Sequence, residues 1–469
     1  MSEPASPDLI VVGAGPAGMA AATTAAEAGA SVLLLDDQAK PGGQIYRAVE
    51  AADAASEAVL GPEYTAGRPL AAALRSSTVT YVPDAAVWQV SDGREVGYSA
   101  AGRAHLVRAR QVILATGAQE RPFPIPGWQL PGVMMAGAAQ TLLKSSGLAA
   151  EGAVFAGSGP LLYLVVHQYL QAGVQVAALL DTTSSANRLP ALAHLPGALR
   201  RWDMLSKGRR WMAAIKASGT RVVSGVSALK VLGDERASGV GYRVGTGPWR
   251  EIQSEHVFVH QGVVPNVNLS FAAGIKHRWD ERQLCWHPLT DAWGRTDLDG
   301  IAIAGDGAGI GGALAAEAAG RIAALGALRE LGSIDAAACD AQARPHRVAL
   351  EREGRLRPFL DTWFRPADHF RVPVDDTTLV CRCEELTVKD LTDVMEIGLA
   401  GPNQLKSYCR AGMGPCQGRF CGLTVQELMA REQGRTPEAV GYYRLRPPIK
   451  PVPFSELAML DADDTVNDG

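Results

Sequence analysis

The sequence predicts an α/β protein, and three observations predict it. A short apolar strand at 9–12 runs into GAGPAG at 13–18 and then into an Ala-rich helical stretch. The same strand, glycine turn and helix return at 153–173, with Gly157 standing 144 residues after Gly13. Five of the seven cysteines fall between 381 and 421. Together these imply two Rossmann-like dinucleotide-binding domains followed by a small, separate cysteine-bearing domain.

Length and composition agree. At 469 residues the chain has room for about three domains at roughly 150 residues each. Hydrophobic residues make up 47%, charged residues 20%, and the net charge is -4. That balance excludes a disordered polyelectrolyte and a basic nucleic-acid binder, so no nucleic acid is expected as a partner. Seven cysteines are too few, and odd in number, for a disulfide scaffold, which points to a reducing compartment. MSEPASPD at 1–8 is polar and the apolar run after it breaks at Gly13. With no run of 18 apolar residues, the expectation is a cytoplasmic chain that is not transmembrane.

The first unit carries Gly13, Gly15 and Gly18 in GxGxxG spacing, with Asp36 closing the second strand 23 residues after Gly13. Gly13 permits the tight turn. Gly15 lets backbone N–H groups reach a pyrophosphate at the positive end of the helix, and Gly18 lets helix and strand pack closely. Asp36 is placed to bind a ribose hydroxyl. Gly42, Gly43 and Gln44 follow, a glycine pair suited to close approach of backbone and ligand. Thr116 and Gly117 end the apolar run VILATG, and Gly305 and Asp306 end IAIAGD; ligand contacts gather at strand ends of this kind.

In this order GxGxxG, acid, GGQ, ATG and GD resemble the two-dinucleotide-binding-domain flavoproteins of the pyridine-nucleotide-disulfide-oxidoreductase-like superfamily. The resemblance implies a glutathione-reductase-like arrangement in which the FAD domain is split around the second domain. It further implies FAD on the first motif, with Gly13, Gly15, Gly18, Asp36, Gly43, Gln44, Thr116, Gly117 and Asp306 as cofactor-binding residues.

The second unit keeps Gly157 and Gly159, but Leu162 stands at the third glycine position. Its side chain pushes helix from strand or shifts the phosphate pocket. Two readings stay open. One is a nucleotide site, in which Asp181 at the next strand end favours NAD or another adenine nucleotide over NADP; the other is a structural remnant. No CxxC or CxxxxC pair occurs in residues 1–284, which excludes a thiol relay near the flavin. Cys285 and Cys339 read as ordinary buried thiols.

The strongest chemical signal is Cys381-x-Cys383, 32 intervening residues, then Cys416-x4-Cys421. Four thiolates in two close pairs bind either zinc or a [2Fe–2S] cluster. A C-x-C pair is tight for a zinc knuckle. Gly412, Gly414 and Gly418 free backbone N–H groups for cluster sulfurs, and a flavin upstream gives a cluster a purpose, so the context favours [2Fe–2S]. Cys409 reads as a bystander.

CRCEE (381–385) and AGMGPCQGRFCG (411–422) resemble the bacterioferritin-associated-ferredoxin-like, or BFD-like, domain that ends a group of flavoproteins. That group includes opine oxidase A subunits, hydrogen cyanide synthase B subunits and hydroxyproline dehydrogenase alpha subunits. The likeness extends to GGQIYR (42–47), GDGAGIGG (305–312) and RPPIKPVPFSELA (446–458). It implies Cys381, Cys383, Cys416 and Cys421 as cluster ligands. The implied partners are an FAD-dependent subunit of the D-amino-acid-oxidase type and a small ferredoxin-like chain. A resemblance to heterotetrameric sarcosine oxidases adds FMN at an interface between subunits as a further cofactor.

The expected organisation is therefore 1–150 as the first part of the FAD-type domain, 151–260 as the second Rossmann domain and 261–340 as the return of the first. An Arg-rich linker follows at 341–378, the BFD-like domain at 379–440 and a Pro-rich tail at 441–469. No His, Tyr or Arg constellation suited to an amino-acid carboxylate stands out, so no catalytic residue is assigned. The expected function is an electron-transferring subunit of a multi-subunit opine, hydroxyproline or related amine dehydrogenase or oxidase. The alternative is a standalone NAD(P)H-dependent ferredoxin-type reductase.

Overall fold

The computed structural model describes residues 6–460. The last part of the expected tail, 461–469, and the first five residues lie outside the described range.

Two five-stranded parallel sheets dominate. In the first, the order is Ile301–Ile303, Gln111–Leu114, Leu9–Val12, Val32–Leu35, Thr80–Val82. Leu9–Val12 is buried throughout, as a parallel strand covered on both faces must be. Helix Pro16–Glu27 packs against helix Ala313–Glu330 so closely that a Cβ on Gly320 would lie 2.1 Å from the Ala17 carbonyl oxygen. The strand Ile301–Ile303, which follows the second sheet in sequence, is thus part of the first sheet.

The second sheet has the order Arg221–Ser224, Val176–Asp181, Ala153–Ser158, Val257–Gln261, Val133–Met135. Each sheet is interrupted at the same place by an antiparallel three-stranded meander, Ala86–Val90 to Arg103–Arg108 in one and Val226–Leu232 to Arg250–Gln253 in the other. The repetition seen in the glycine turns therefore extends to whole domains.

The boundary at 150 is corrected. Val133–Met135 pairs with the second sheet, and Phe123, Ile125 and Trp128 pack in its core with Val154 and Val259. The joint is the antiparallel pair Ala118–Glu120 and Val263–Pro265. The sequence hides it because the glycine turn marks where a unit's ligand loop lies, not where its sheet begins.

Residues 341–378 are also not a plain linker. Helix Ala336–Gly354 buries Cys339 and Ala343, four residues apart on one face, and is capped by the Asp335 side chain accepting from the Ala338 N–H. Arg357–Trp363 and Asp368–Arg371 are helical too. Arg344, Arg352 and Arg355 form the solvated face of the first helix, with Arg355 paired to Glu351 one turn away, whereas Arg371 is buried.

Beyond it, the hairpin Leu379–Cys381 and Leu386–Thr387 leads into helices Val388–Met395, Pro402–Cys409, Gly422–Gln433 and Pro437–Val440. They enclose a core of their own, including Leu391, Leu405, Val425, Leu428, Cys381 and Cys421. The tail then leaves this domain and crosses to the first. Tyr443 and Leu445 stay in the small core, whereas Ile449 enters the core of Val87, Val96 and Val112 and donates its N–H to the Trp88 carbonyl at 3.0 Å. Lys450 pairs with Asp37 at 3.2 Å. Among the described residues no helix is long and apolar enough to cross a membrane.

Candidate functional site

The strand ends of the first sheet converge on a cradle. Gly13 holds φ +105°, and a Cβ there would lie 2.4 Å from the Ala115 carbonyl oxygen; one on Gly18 would lie 1.7 Å from the Gly13 oxygen. These are the tight turn and close packing predicted for the two positions. Gly15 and Gly43 face each other, with a Cβ on Gly43 reaching 2.8 Å from the Gly15 Cα. The groove between them stays free of side chains only because both are glycine. It lies at the start of helix Pro16–Glu27, where backbone N–H groups and the helix dipole favour a pyrophosphate. The residues present therefore fit the dinucleotide that the motif implies.

Asp36 lies at the edge of that groove, 6% exposed. Its carboxylate accepts the Ala14 N–H on one oxygen and the Gln38 N–H, at 2.8 Å, on the other. Burial pushes its pKa up to about 6, against the pull of those two bonds. Gln44 lies on the same loop, its side chain accepting from Arg47 at 3.1 Å. Lys144, which sequence reasoning missed, reaches across from helix Ala136–Ser146 of the second domain and donates to the Gln44 and Ile45 carbonyls at 3.0 Å each. Burial lowers its pKa to about 7.

Thr116 donates to the Asn266 carbonyl at 3.1 Å, and Asn266 returns its N–H to the Gly117 carbonyl at 2.9 Å. Asp306 accepts the Gly311 and Gly312 N–H groups at 2.8 and 2.9 Å, at the start of helix Ala313–Glu330. Gly15, Thr116, Gly117 and Asp306 thus meet at the carboxyl ends of neighbouring strands, the usual ligand crevice of such a sheet.

The second unit differs. Gly157 and Gly159 keep positive φ, but a Cβ on Gly159 would lie 3.2 Å from the His260 imidazole, whose other nitrogen is 2.6 Å from Glu120. Leu162 is fully buried in the core. Asp181 is already engaged, accepting from the Tyr163 hydroxyl and the Thr183 N–H at 2.8 Å each.

The four candidate thiols come together in the small domain as two pairs. Cys381 ends its strand in contact with Cys421, the residue preceding helix Gly422–Gln433, and Cys383 is in contact with Cys416. The Gly412, Glu384 and Cys383 N–H groups surround Cys381. The hydrogen bond from Cys421 and these N–H groups draw the Cys381 pKa down to about 6, while the same bond and burial push Cys421 up. Gly414 is required here, since a Cβ on it would lie 2.3 Å from the Cys383 Cβ. Among the described residues no three or more His, Cys, Asp or Glu are gathered as the shell of a single ion. Soft sulfur in two adjacent pairs, with backbone donors around Cys381, fits a [2Fe–2S] group, which Cys381, Cys383, Cys416 and Cys421 would hold. Cys409 donates to the Leu405 carbonyl at 3.3 Å and Cys339 to the Leu325 carbonyl at 3.4 Å. Cys285 lies buried in a separate core, its pKa raised to about 12.

The thiol loop is seated on the flavin-type domain. Gln119, two residues past Gly117, donates to the Arg419 carbonyl at 3.0 Å, and Asn268, two past Asn266, donates to the Gln417 carbonyl at 3.0 Å. Elsewhere on the small domain, Trp286 donates to the Gln426 side chain at 2.8 Å, Phe271 stacks on Tyr442, and Trp128 of the second domain donates to the Leu379 carbonyl at 2.7 Å. None of these contacts has a local sequence signature.

Comparison with known proteins follows this division. Residues 7–322 match the family model of the pyridine nucleotide-disulphide oxidoreductases, and residues 375–463 that of the sarcosine oxidase A3 domain. The chain is 46% identical over 463 residues to the opine oxidase A subunit of Rhizobium meliloti, covering 97% of this chain and 87% of that one. It is 33% identical over 475 residues to hydrogen cyanide synthase subunit HcnB of Pseudomonas aeruginosa, covering 97% and 99%. Among solved structures, L-proline dehydrogenase from P. horikoshii shares the fold at a TM-score of 0.70 and 18% identity, over 96% of this chain and 79% of that one.

Proposed function

The chain belongs to the pyridine nucleotide-disulphide oxidoreductase family, and from that premise we propose that it is the electron-transferring flavin and iron–sulfur subunit of a multi-subunit amine dehydrogenase or oxidase. Its donor class is an opine, hydroxyproline or a related secondary amine. The observation that carries this reading is the seating of the Cys416–Cys421 loop on residues 117–119 and 266–268, through Gln119 and Asn268. FAD, when bound, exchanges two electrons with an organic donor, whereas a [2Fe–2S] group passes one at a time.

The chain's own residues supply position. Gly15 and Gly43 admit the pyrophosphate, Asp36 receives the ribose, and Asp306 with Gly311 and Gly312 closes the far end of the crevice. Lys144 holds the Gly43–Gln44 loop against the second domain. Cys381, Cys383, Cys416 and Cys421 of the small domain hold the cluster where that domain's loop is seated on the flavin-type domain. Substrate recognition is assigned to an FAD-dependent partner of the D-amino-acid-oxidase type, with a small ferredoxin-like chain and an interfacial FMN as further members of the assembly.

Retention of the Gly157–Gly159 turn favours the reductase reading; Leu162 in the core and the engaged Asp181 count against it. Anaerobic mixing of the purified complex with NADH or NADPH separates the two. The relay protein leaves its flavin oxidised, and prompt bleaching by either nucleotide would replace it with the reductase. Co-purified chains, together with extracted FAD, FMN and iron, test the composition.

A further inference from the structure

Tyr443 is 2% exposed, and its hydroxyl has no hydrogen-bond partner among the described residues. A buried polar group without a partner is rare enough in a folded protein to need a reason. Its ring packs along one edge against two glycines of the thiol loop, both at positive φ. A Cβ on Gly412 would lie 2.6 Å from the ring and 3.0 Å from the hydroxyl oxygen, and one on Gly418 would lie 2.8 Å from Cδ2 on the same ring edge. The loop has thus given up side chains at both positions to let this ring in. Gly412 is also the residue whose N–H faces Cys381.

We propose that the Tyr443 hydroxyl donates a hydrogen bond to sulfur of the group held by Cys381 and Cys421, and so raises its reduction potential. The inference rests on the [2Fe–2S] reading. A tyrosine hydroxyl is protonated at neutral pH and so carries a proton to donate. Lys406, 5.7 Å from the ring centroid, is a cation and offers no acceptor. Cys409 spends its proton on Leu405. A donor to cluster sulfur stabilises the reduced, more negative state, so Tyr443 is a positioning residue that acts through the sulfur.

The test is redox titration of the full-length protein in its complex, followed by EPR, for wild type, Tyr443→Phe and Tyr442→Phe. In Tyr443→Phe the cluster spectrum persists, and at the wild-type midpoint the ratio of reduced to oxidised cluster falls about tenfold, a shift of about 59 mV to lower potential for one electron. Tyr442→Phe leaves the midpoint in place. Incorporating 3-fluorotyrosine at 443, a stronger donor of the same shape, shifts it upward, and this decides the matter if the Phe variant fails to load. An intact cluster whose midpoint moves in neither Tyr443 substitution would overturn the proposal. A wild-type protein with no iron–sulfur signal would instead overturn the cluster reading on which it rests.

Discussion

Asn268 donates its side-chain amide to the Gln417 carbonyl across 3.0 Å, tying the residues that flank Thr116 and Gly117 to the loop that carries Cys416 and Cys421. Gln119 makes the parallel bond to Arg419. Both bond to backbone carbonyls of the thiol loop, so they hold the distance between the flavin crevice and the thiols.

Replacing both, Asn268→Ala with Gln119→Ala, costs about 2 kcal/mol of domain docking at about 1 kcal/mol for each bond. Cofactor contents stay at wild-type levels while electron transfer from flavin to cluster slows by about tenfold or more. Rapid-mixing spectroscopy with a chemically reduced flavin reads the second quantity, and iron and flavin analysis the first.

Gly43→Ala puts a methyl group 2.8 Å from the Gly15 Cα, at a position with φ +58°. The purified variant is expected to keep its iron and to lose FAD, with affinity reduced at least about tenfold. Fluorescence titration of the flavin-stripped protein measures this; unchanged affinity would remove the pyrophosphate from this groove.

Asp36 gives a pH signature in the flavin-free protein. Its folded pKa of about 6 lies above the unfolded value of about 3.9. The acid form therefore favours the fold below about pH 4, and that contribution is lost as pH rises through about 6. Asp36→Asn lacks the loss. Denaturant titrations should show the variant gaining on wild type by on the order of 2 kcal/mol between about pH 4 and pH 7, while its FAD affinity falls.

Arg371, at the end of the Arg-rich segment, forms a buried ion pair with Glu427 inside helix Gly422–Gln433. Arg371→Met alone leaves an uncompensated buried carboxylate and is expected to destabilise the small domain by about 3–5 kcal/mol. Adding Glu427→Leu recovers most of that loss. Thermal unfolding of the two single variants and the double variant measures the coupling.

The chemistry-bearing residues were legible wherever a local constraint forces residue type. Gly13, Gly18 and Asp36 stand where the sequence alone expects them, because a strand–turn–helix that approaches a ligand tolerates little else. The four thiols were legible by spacing, although their pairing, Cys381 with Cys421 and Cys383 with Cys416, crosses between the two motifs and cannot be read from either. What was hidden depends on tertiary packing. Lys144, Asn268 and Tyr443 lie 100, 149 and 31 residues from Gln44, Gln417 and Gly412, the residues they touch, and each is an ordinary side chain in its own segment. The helices at 336–371 were masked by their arginines, whose helical spacing is visible only once the buried face of Cys339 and Ala343 is known.

The central claim is that amine-derived electrons reach the thiol-bound cluster through this chain. An anaerobic titration of the co-purified complex with candidate opines, hydroxyproline and related amines, read by EPR at each step, tests it most directly. The expected result is that the right amine reduces flavin and cluster together in the complex, and that NADH and NADPH reduce neither. A complex that turns over the amine while its cluster stays oxidised would contradict it.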